Sequence, residues 1–333
     1  MKALVSRAVG GPETLVIEEL PDPRPGSGEL LASVQAVGVN FPDGLFIRDQ
    51  YQIRIPRPFS PGAEFCGTVE AVGEGVAGFS PGDRIIGRCG WGAMAQRIAL
   101  PAARCTQVPA DAPVDEAAAL QFTYATACHA LHDAAAIRRG ETLLVLGAAG
   151  GVGTAAVELG RAAGARVLAA VSSAEKLAFA RQRGADDGIV YPRTLNGRDD
   201  EKALADQLKQ LAGPSGVDVV FDPLGGAYSE AAIRALARYG RHLVIGFTAG
   251  IPRLPLNLVL LKTARIIGVD WRSFSQLEPA ANDRNVRMLI RMWRDGRIRP
   301  YVSERYPLER GADAIARLES RGALGKIVVM IDG

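Results

Sequence analysis

A glycine-rich turn between an apolar strand and a helix constrains the fold of this chain more than any other feature. Residues 141–153 read Glu-Thr-Leu-Leu-Val-Leu-Gly-Ala-Ala-Gly-Gly-Val-Gly, and a helical pattern follows directly. The glycines allow a tight turn and a close backbone approach, while the free N–H groups and the positive dipole end of the new helix face an anion. The pattern predicts a bound dinucleotide. The backbone groups expected to face its pyrophosphate belong to Gly150, Gly151, Val152 and Gly153.

The spacing of these glycines departs from the G-x-G-x-x-G fingerprint, because Ala149 stands where that fingerprint has its second glycine. Glycine also serves tight strand-to-helix turns that hold no ligand. The context favours a nucleotide, since a second apolar strand at residues 166–171 follows at the distance that a βαβ unit requires.

The end of this second strand favours NADP(H) over NAD(H). An acidic residue there would grip the ribose 2′-hydroxyl and repel a 2′-phosphate, but residues 171–176 read Val-Ser-Ser-Ala-Glu-Lys. Ser172 and Lys176 offer a hydroxyl and an ammonium instead. An alternative interpretation makes Ser173 a helix N-cap and Lys176 a solvated surface lysine, and both interpretations can hold at once.

Composition agrees with a soluble two-domain enzyme. The chain has 333 residues, 48% of them hydrophobic, and a formal charge of +3, too mild to suggest a nucleic-acid partner. No apolar run is long enough to span a bilayer, so we expect a cytoplasmic protein without a membrane partner. The cysteines form no C-x-x-C pair, which favours reduced thiols over a disulfide framework.

The sequence pattern changes near residue 115 and divides the chain into two parts. Residues 1–110 read as short strands punctuated by proline and glycine, which is typical of a barrel-like β domain. From residue 115, alanine-rich helical stretches alternate with apolar strands, which predicts a doubly wound parallel sheet. The fold class is therefore α/β with an added β domain.

Several motifs in order make the chain resemble the zinc-independent quinone oxidoreductases of the medium-chain dehydrogenase/reductase superfamily. The matching stretches are residues 38–43, 61–64, 79–84, 148–153, 221–226 and 325–329. The resemblance implies a GroES-like β-barrel catalytic domain over residues 1–122 and 271–333, with a Rossmann dinucleotide-binding domain over 123–270. It also implies a homodimer joined through the edge strand Ile266–Val269.

The departures from the superfamily's zinc alcohol dehydrogenases concern the metal. Where those enzymes have a cysteine and the histidine of a G-H-E motif as ligands, this chain has Asn40 and Ala63. Asparagine and alanine do not replace thiolate and imidazole in a tetrahedral site, so we expect no metal. Without a Lewis acid the acceptor needs its own electron sink, as in quinones, enones and enoyl thioesters.

The substrate side contains two candidate catalytic residues, Asn40 and Tyr51. Together with Asp43 they lie at offsets resembling those of medium-chain enoyl-thioester reductases, in which the tyrosine is the presumed proton donor to carbon. Reduction of an enoyl thioester or enone is therefore the alternative to quinone reduction. Tyr51 also suits a plain amphipathic role on a loop. We expect Asn40 to line the nicotinamide or the substrate carbonyl, and Asp43 to stabilise its loop.

The resemblance also assigns residues to the cofactor. It places Ser172, Lys176 and Tyr191 around the 2′-phosphate and adenine ribose, Thr126 beside the nicotinamide ribose, and Gly246 with Phe247 near the nicotinamide. Eye-lens crystallins resemble this family while serving as structural proteins, so a non-catalytic NADPH-binding protein is a further alternative.

Overall fold

The structure, a computed structural model, describes residues 1–332 and divides them into two compact units. The first joins Met1–Phe122 to the segment from Pro300 onward, and the second is Thr123–Arg299. The sequence placed the return to the first unit at residue 271, whereas residues 271–299 belong with the second unit.

Contacts within the second unit explain this later boundary. The rings of His129 and Phe274 stack with centroids 3.8 Å apart. The amide Nδ2 of Asn285 donates to Asp133 over 2.7 Å. These contacts pack residues 271–299 onto the helical segment near residue 130, so the boundary moves from 270/271 to 299/300.

Strands alternate with helices along most of the described chain. The strands, in chain order, are β1 Lys2–Ser6, β2 Leu15–Glu19, β3 Glu29–Gly38, β4 Glu64–Val72, β5 Arg84–Arg88, β6 Arg97–Pro101, β7 Cys105–Gln107, β8 Thr142–Leu146, β9 Arg166–Val171, β10 Asp187–Val190, β11 Val217–Asp222, β12 Leu236–Val244, β13 Arg265–Gly268, β14 Val302–Pro307 and β15 Lys326–Met330. The helices are α1 Phe41–Ile47, α2 Val114–Ala118, α3 Gln121–Cys128, α4 Gly151–Ala162, α5 Ala174–Gln182, α6 Arg198–Ala212, α7 Gly226–Ala235, α8 Leu256–Lys262, α9 Trp271–Leu277, α10 Pro279–Arg294 and α11 Gly311–Glu319.

The first unit is built on a mainly antiparallel sheet in the order β14-β15-β3-β4-β5-β7, with β6 also paired to β3 and with β1 and β2 forming a separate hairpin. Along β3, alternate residues are buried from Leu30 to Ala36, as a strand with one face on the core requires. The pairing of β15 with β3 sets Val328 opposite Gly38. This register brings the beginning of β15 to the end of β3, where the polar site of this unit forms.

The second unit contains a six-stranded sheet in the order β10-β9-β8-β11-β12-β13, and every neighbouring pair is parallel. This order reverses direction beside β8, as in a dinucleotide-binding fold, and confirms the predicted doubly wound sheet. The predicted strands at residues 166–171 and 266–269 agree with β9 and β13 to within one residue. In such sheets the ligand binds at the carboxyl ends of the strands, next to the switch point.

None of the helices within residues 1–332 has both the length and the apolar character needed to cross a membrane.

Candidate functional site

The glycine-rich turn forms a cradle between β8 and α4. Gly147 adopts a left-handed backbone with φ of 60°, and Gly150 is the N-cap of α4. A Cβ on Gly153 would overlap the carbonyl oxygen of Gly147, so only glycine allows the helix to pack this closely on the turn. The N–H of Thr154 makes the first intrahelical hydrogen bond, to Gly150 O over 2.8 Å.

The N–H groups of Gly150, Gly151, Val152 and Gly153 were expected to face a pyrophosphate. The Gly150 N–H donates to Gly147 O over 3.0 Å instead, whereas Gly151, Val152 and Gly153 are the first three residues of a 12-residue helix. Because a helix offers these groups no carbonyl partner of its own, they are available to an anion, and the helix dipole adds to the attraction. The cradle therefore fits the diphosphate of a dinucleotide.

The carboxyl end of β9 brings together the side chains predicted to select the cofactor. Lys176 Nζ donates to Ser172 Oγ over 3.3 Å, which places a cation and a hydroxyl at the end of this strand. Ser173 is the N-cap of α5, and its Oγ accepts from the backbone N–H of Lys176 over 3.2 Å. The N-cap role expected of Ser173 is confirmed. Lys176 is half-buried beside Ser172, and contact of these two side chains with a 2′-phosphate stays a prediction.

Tyr191 follows β10, the strand next to β9. Its N–H donates to Val171 O over 2.8 Å, and its side chain is 7% exposed. Its ring lies against Tyr228 with a centroid distance of 4.9 Å. Tyr191 is thus fixed at the predicted end of the sheet, mainly as a packed aromatic.

The residues expected near the nicotinamide lie on α3 and after β12. Thr126 on α3 is 8% exposed. Gly246 lies close to the backbone of Pro223, so that a Cβ there would be 3.3 Å from the proline carbonyl oxygen, and Phe247 is 47% exposed. Their contacts with a cofactor stay predictions.

A buried aspartate shapes the loop after β11, beside the glycine cradle. Asp222 Oδ1 accepts from the N–H groups of Leu224 and Gly225, each over 2.9 Å, and Oδ2 accepts from Ser229 and from His242 Nε2. Burial opposes ionisation, but these hydrogen bonds hold the pKa of Asp222 below its usual range. The charged carboxylate therefore fixes the loop, a role that the sequence analysis missed.

In the first unit, the end of β3 carries a buried polar cluster of Asn40, Glu64 and Lys326. Lys326 Nζ donates to Asn40 Oδ1 over 2.5 Å and to Val39 O over 3.0 Å, and lies 2.8 Å from Glu64 Oε1. The amide Nδ2 of Asn40 donates to Gly38 O and to Glu64 Oε1. These three side chains are at most 5% exposed.

This network restricts what Asn40 can do. Lysine only donates, so the atom that faces Lys326 is the amide oxygen, and the assignment of the amide group follows. Both Nδ2 hydrogens bond within the chain, which leaves one lone pair of Oδ1 for a ligand. The expected contact of Asn40 with the nicotinamide or a substrate carbonyl stays a prediction. The hydrogen bonds of Asn40 to Gly38, Glu64 and Lys326 position the end of β3.

Asp43 is fully buried beneath the same turn. Its carboxylate accepts from the N–H of Asn40 over 2.7 Å and from the N–H of Gly62 over 3.1 Å. Burial raises the pKa of Asp43 to about 6, against the lowering by these two hydrogen bonds and by Lys326. Asp43 therefore joins the β3–α1 turn to the loop around residue 62, in agreement with the loop-stabilising role expected of it.

These residues do not fit a zinc site. Ala63 has no donor atom, and Asn40 Oδ1 already accepts from a lysine ammonium. Among residues 1–332, no three His, Cys, Asp or Glu side chains group closely enough to hold a metal ion.

Tyr51 lies in the bend after α1 and is half-buried. Its ring packs against Phe46 with centroids 4.6 Å apart and planes tilted by 59°. This packing orients the side chain within the first unit and agrees with an amphipathic loop residue. Its role as a proton donor stays a prediction.

The lysine of the polar cluster, Lys326, was not among the residues that the sequence singled out. Lys326 begins the strand Lys-Ile-Val-Val-Met, whose other members are apolar. Lysine is almost never fully buried unless it is paired, so a charged residue within a buried strand was the available signal. Its partner Glu64 is the last residue of the family motif at residues 61–64, which indicates no contact with Lys326.

Comparison with known proteins agrees with both units. Residues 26–110 match the family described as alcohol dehydrogenase GroES-like domain, and residues 151–284 match the family described as zinc-binding dehydrogenase. The first match confirms the GroES-like character expected of the first unit.

Relatives cover almost the whole chain. Quinone oxidoreductase-like protein 2 of Bos taurus is 36% identical over 320 residues, which are 95% of this chain and 89% of that protein. The structure of mycobacterial Rv1454c complexed with NADPH has a TM-score of 0.90 and 32% identity, with 99% of each chain covered. The Escherichia coli quinone oxidoreductase complexed with NADPH has a TM-score of 0.88 and 26% identity, with 99% of this chain and 100% of that chain covered.

Proposed function

Since the chain belongs to the zinc-independent quinone oxidoreductase family of the medium-chain dehydrogenase/reductase superfamily, we propose that it is an NADPH-dependent oxidoreductase. Its acceptor is a quinone or a similar conjugated carbonyl compound of small size. The reaction proceeds without zinc, because Asn40 and Ala63 supply no ligand set.

One observation carries this proposal: Ser172 and Lys176 lie together at the carboxyl end of β9, where no acidic residue excludes a 2′-phosphate. The glycine cradle at the start of α4 supplies the second half of the cofactor site, in the same parallel sheet. Two relatives of known structure are complexed with NADPH. A cofactor with a 2′-phosphate thus suits the charges of this unit.

In this mechanism the residues of the chain bind the cofactor and hold the catalytic unit in a fixed conformation. NADPH, when bound, supplies the hydride. The first N–H groups of α4 hold the pyrophosphate, and Lys176 with Ser172 holds the 2′-phosphate. The Asn40–Glu64–Lys326 network holds the β3–α1 turn of the catalytic unit in one conformation. A quinone takes up the charge in its own π-system, so the oxygen atoms obtain protons from water without a positioned acid.

The second candidate is reduction of an enone or enoyl thioester with Tyr51 as the proton donor to carbon. The observation that favours it is the packing of the Tyr51 ring on Phe46, which orients the side chain. Hydride addition to the conjugated double bond would leave an enolate, whose carbon takes its proton from a positioned donor, and general acid catalysis of this kind contributes about 10²–10⁴-fold.

The first experiment is a screen of acceptors with NADPH, read as loss of absorbance of the reduced nicotinamide. We expect turnover with small quinones, little with acyl thioesters, and no effect of a zinc chelator. Stoichiometric zinc whose removal abolishes turnover would contradict the zinc-free mechanism. Binding of NADPH, seen as a fluorescence change, without turnover of any acceptor would instead indicate a non-catalytic binding protein.

The second experiment separates the two acceptors through Tyr51→Phe, which removes only the hydroxyl. Quinone turnover should change by only about two- to fivefold, because no carbon is protonated. Efficient reduction of crotonyl thioester by the wild type, lost in Tyr51→Phe, would establish the second candidate. Phe46→Leu is the companion variant: it keeps the hydroxyl but removes the ring contact that orients it, so under the second candidate it should also slow enoyl-thioester reduction, and under the first it should not change quinone turnover.

A further inference from the structure

The segment after β10 holds its backbone in place beside the cofactor-selecting end of β9. Tyr191 N–H donates to Val171 O over 2.8 Å, and the parallel register sets Val190 opposite Val171. The hydroxyl of Tyr228 lies 2.8 Å from the carbonyl oxygens of both Pro192 and Arg193. The chain is therefore fixed from both sides up to Arg193.

The side chain at the end of this fixed segment is an exposed arginine. Among residues 1–332, no carboxylate lies within ion-pair distance of the Arg193 guanidinium. The first turn of α6 begins five residues later and is acidic, and Asp200 in that turn accepts from Asn196 N–H over 2.8 Å. Arg193 is thus a cation on a defined backbone without an anionic partner in the described chain.

The neighbouring strand ends in a second cation. Lys176 and Ser172 lie at the carboxyl end of β9, and Arg193 follows the carboxyl end of β10. Two cations and a hydroxyl at adjacent strand ends suit a dianionic phosphate, because a phosphate monoester accepts several charge-assisted hydrogen bonds at once. A guanidinium adds the planar fork that matches two phosphate oxygens, which an ammonium cannot do.

We propose that Arg193 is a second cationic anchor, with Lys176, for the phosphate monoester on the adenosine ribose of the cofactor. Tyr228 is the positioning residue, which acts by holding the Pro192 and Arg193 carbonyls. The inference rests on the proposed function only in taking NADP(H) as the cofactor, and it makes Arg193 a determinant of NADP(H) over NAD(H).

The test measures binding of two probes by calorimetry, which requires no turnover. Adenosine 2′,5′-bisphosphate carries the ribose 2′-phosphate, and AMP lacks it. Arg193→Ala should weaken binding of the bisphosphate by roughly five- to twentyfold and leave AMP within about twofold. Arg193→Lys should retain part of the difference. Arg198→Ala, which removes an exposed arginine at the start of α6, is the charge-matched control and should bind both probes like the wild type.

Tyr228→Phe tests the positioning role. It keeps the ring contact with Tyr191 and removes only the hydroxyl that holds the two carbonyls. We expect a smaller, selective loss of bisphosphate binding, whereas a merely structural residue would affect both probes alike.

Unchanged bisphosphate binding in Arg193→Ala, or an equal loss in Arg198→Ala, overturns the inference and leaves the oxidoreductase proposal intact. A wild type that binds both probes equally overturns both the inference and the NADP(H) assignment. Selective bisphosphate binding that depends on Arg193, in a protein without turnover, supports the inference and contradicts the catalytic proposal.

Discussion

Lys176 is the residue whose removal most directly tests the choice of cofactor. Its ammonium lies beside Ser172 at the end of β9. A hydrogen bond to a charged group contributes about 1.5–3 kcal/mol, so Lys176→Ala should weaken NADPH binding by about one to two decades and hardly change NADH binding. Fluorescence titration of both cofactors measures this. Lys209→Ala, on the exposed side of α6, is the control, and equal losses for NADPH and NADH in Lys176→Ala would show that the ammonium does not contact the 2′-phosphate.

Asp43 gives a prediction about pH. Its pKa is raised to about 6 by burial, so the folded protein binds the proton more tightly than the unfolded chain does. The stabilising effect of the protonated form is complete below about pH 4 and is lost as the pH rises through 6. Relative to Asp43→Asn, which does not titrate, the wild type should lose about 3 kcal/mol of unfolding free energy between pH 4 and pH 7.

Urea unfolding of both proteins across this range measures the Asp43 effect. The quantity that matters is the difference between wild type and variant, since every other carboxyl group titrates in both. A difference that is independent of pH would show that Asp43 ionises in the folded protein as it does in the unfolded chain.

At the scale of single residues, local contacts were predictable from the sequence and long-range contacts were not. The Ser172–Lys176 pair was predictable because both groups and the start of a helix lie within five consecutive residues. The Asn40–Lys326 contact joins residues 286 positions apart, so no local pattern indicates it. Only the register of β15 on β3 brings them together, and that register depends on the folded sheet.

At the scale of elements, two glycines of the β8–α4 turn have different roles: Gly153 is required for the packing of α4, and Gly150 lies where a ligand would approach. A Cβ on Gly153 would overlap Gly147 O, whereas on Gly150 the nearest atom would be 3.6 Å away, an ordinary contact. Gly153→Ala should therefore displace α4, lower the melting temperature by about 2–8 °C and weaken NADPH binding at least tenfold. Gly150→Ala should keep the melting temperature of the protein without cofactor. Equal melting temperatures in wild type and Gly153→Ala would contradict the packing argument.

Burial determines which strands have a recognisable pattern in the sequence. Strands β8 and β9 are buried on both faces and appear in the sequence as continuous apolar runs. Strand β7 has three residues, and β14 is half-exposed with a charged centre, so neither has a hydrophobic pattern of its own. Their extended conformation depends on pairing, of β7 with the longer β5 and of β14 with the buried β15.

At the scale of the whole molecule, the sequence predicted two domains and the first boundary at residue 122 but not the return at 299. The change of sequence pattern from short strands to alanine-rich helices lies a few residues before this boundary, near residue 115. The return occurs without such a change, because α9 and α10 are helices like those before them. What assigns them to the second unit is side-chain packing on residues near 130, which a one-dimensional pattern does not contain.

The edge of the parallel sheet gives the last prediction, which concerns assembly. Among residues 1–332, strand β13 pairs with β12 alone; its own Ile266 is 36% exposed, and Leu260 on α8 is 78% exposed. An unpaired strand edge with apolar side chains favours pairing with another chain, so we propose a homodimer through this edge. Ile266→Lys should shift the protein toward a 35.2 kDa monomer in sedimentation equilibrium, whereas Leu277→Lys, at an apolar residue on α9 that is 80% exposed, should not. A dimer that withstands Ile266→Lys, or dissociates equally in both variants, would place the interface elsewhere.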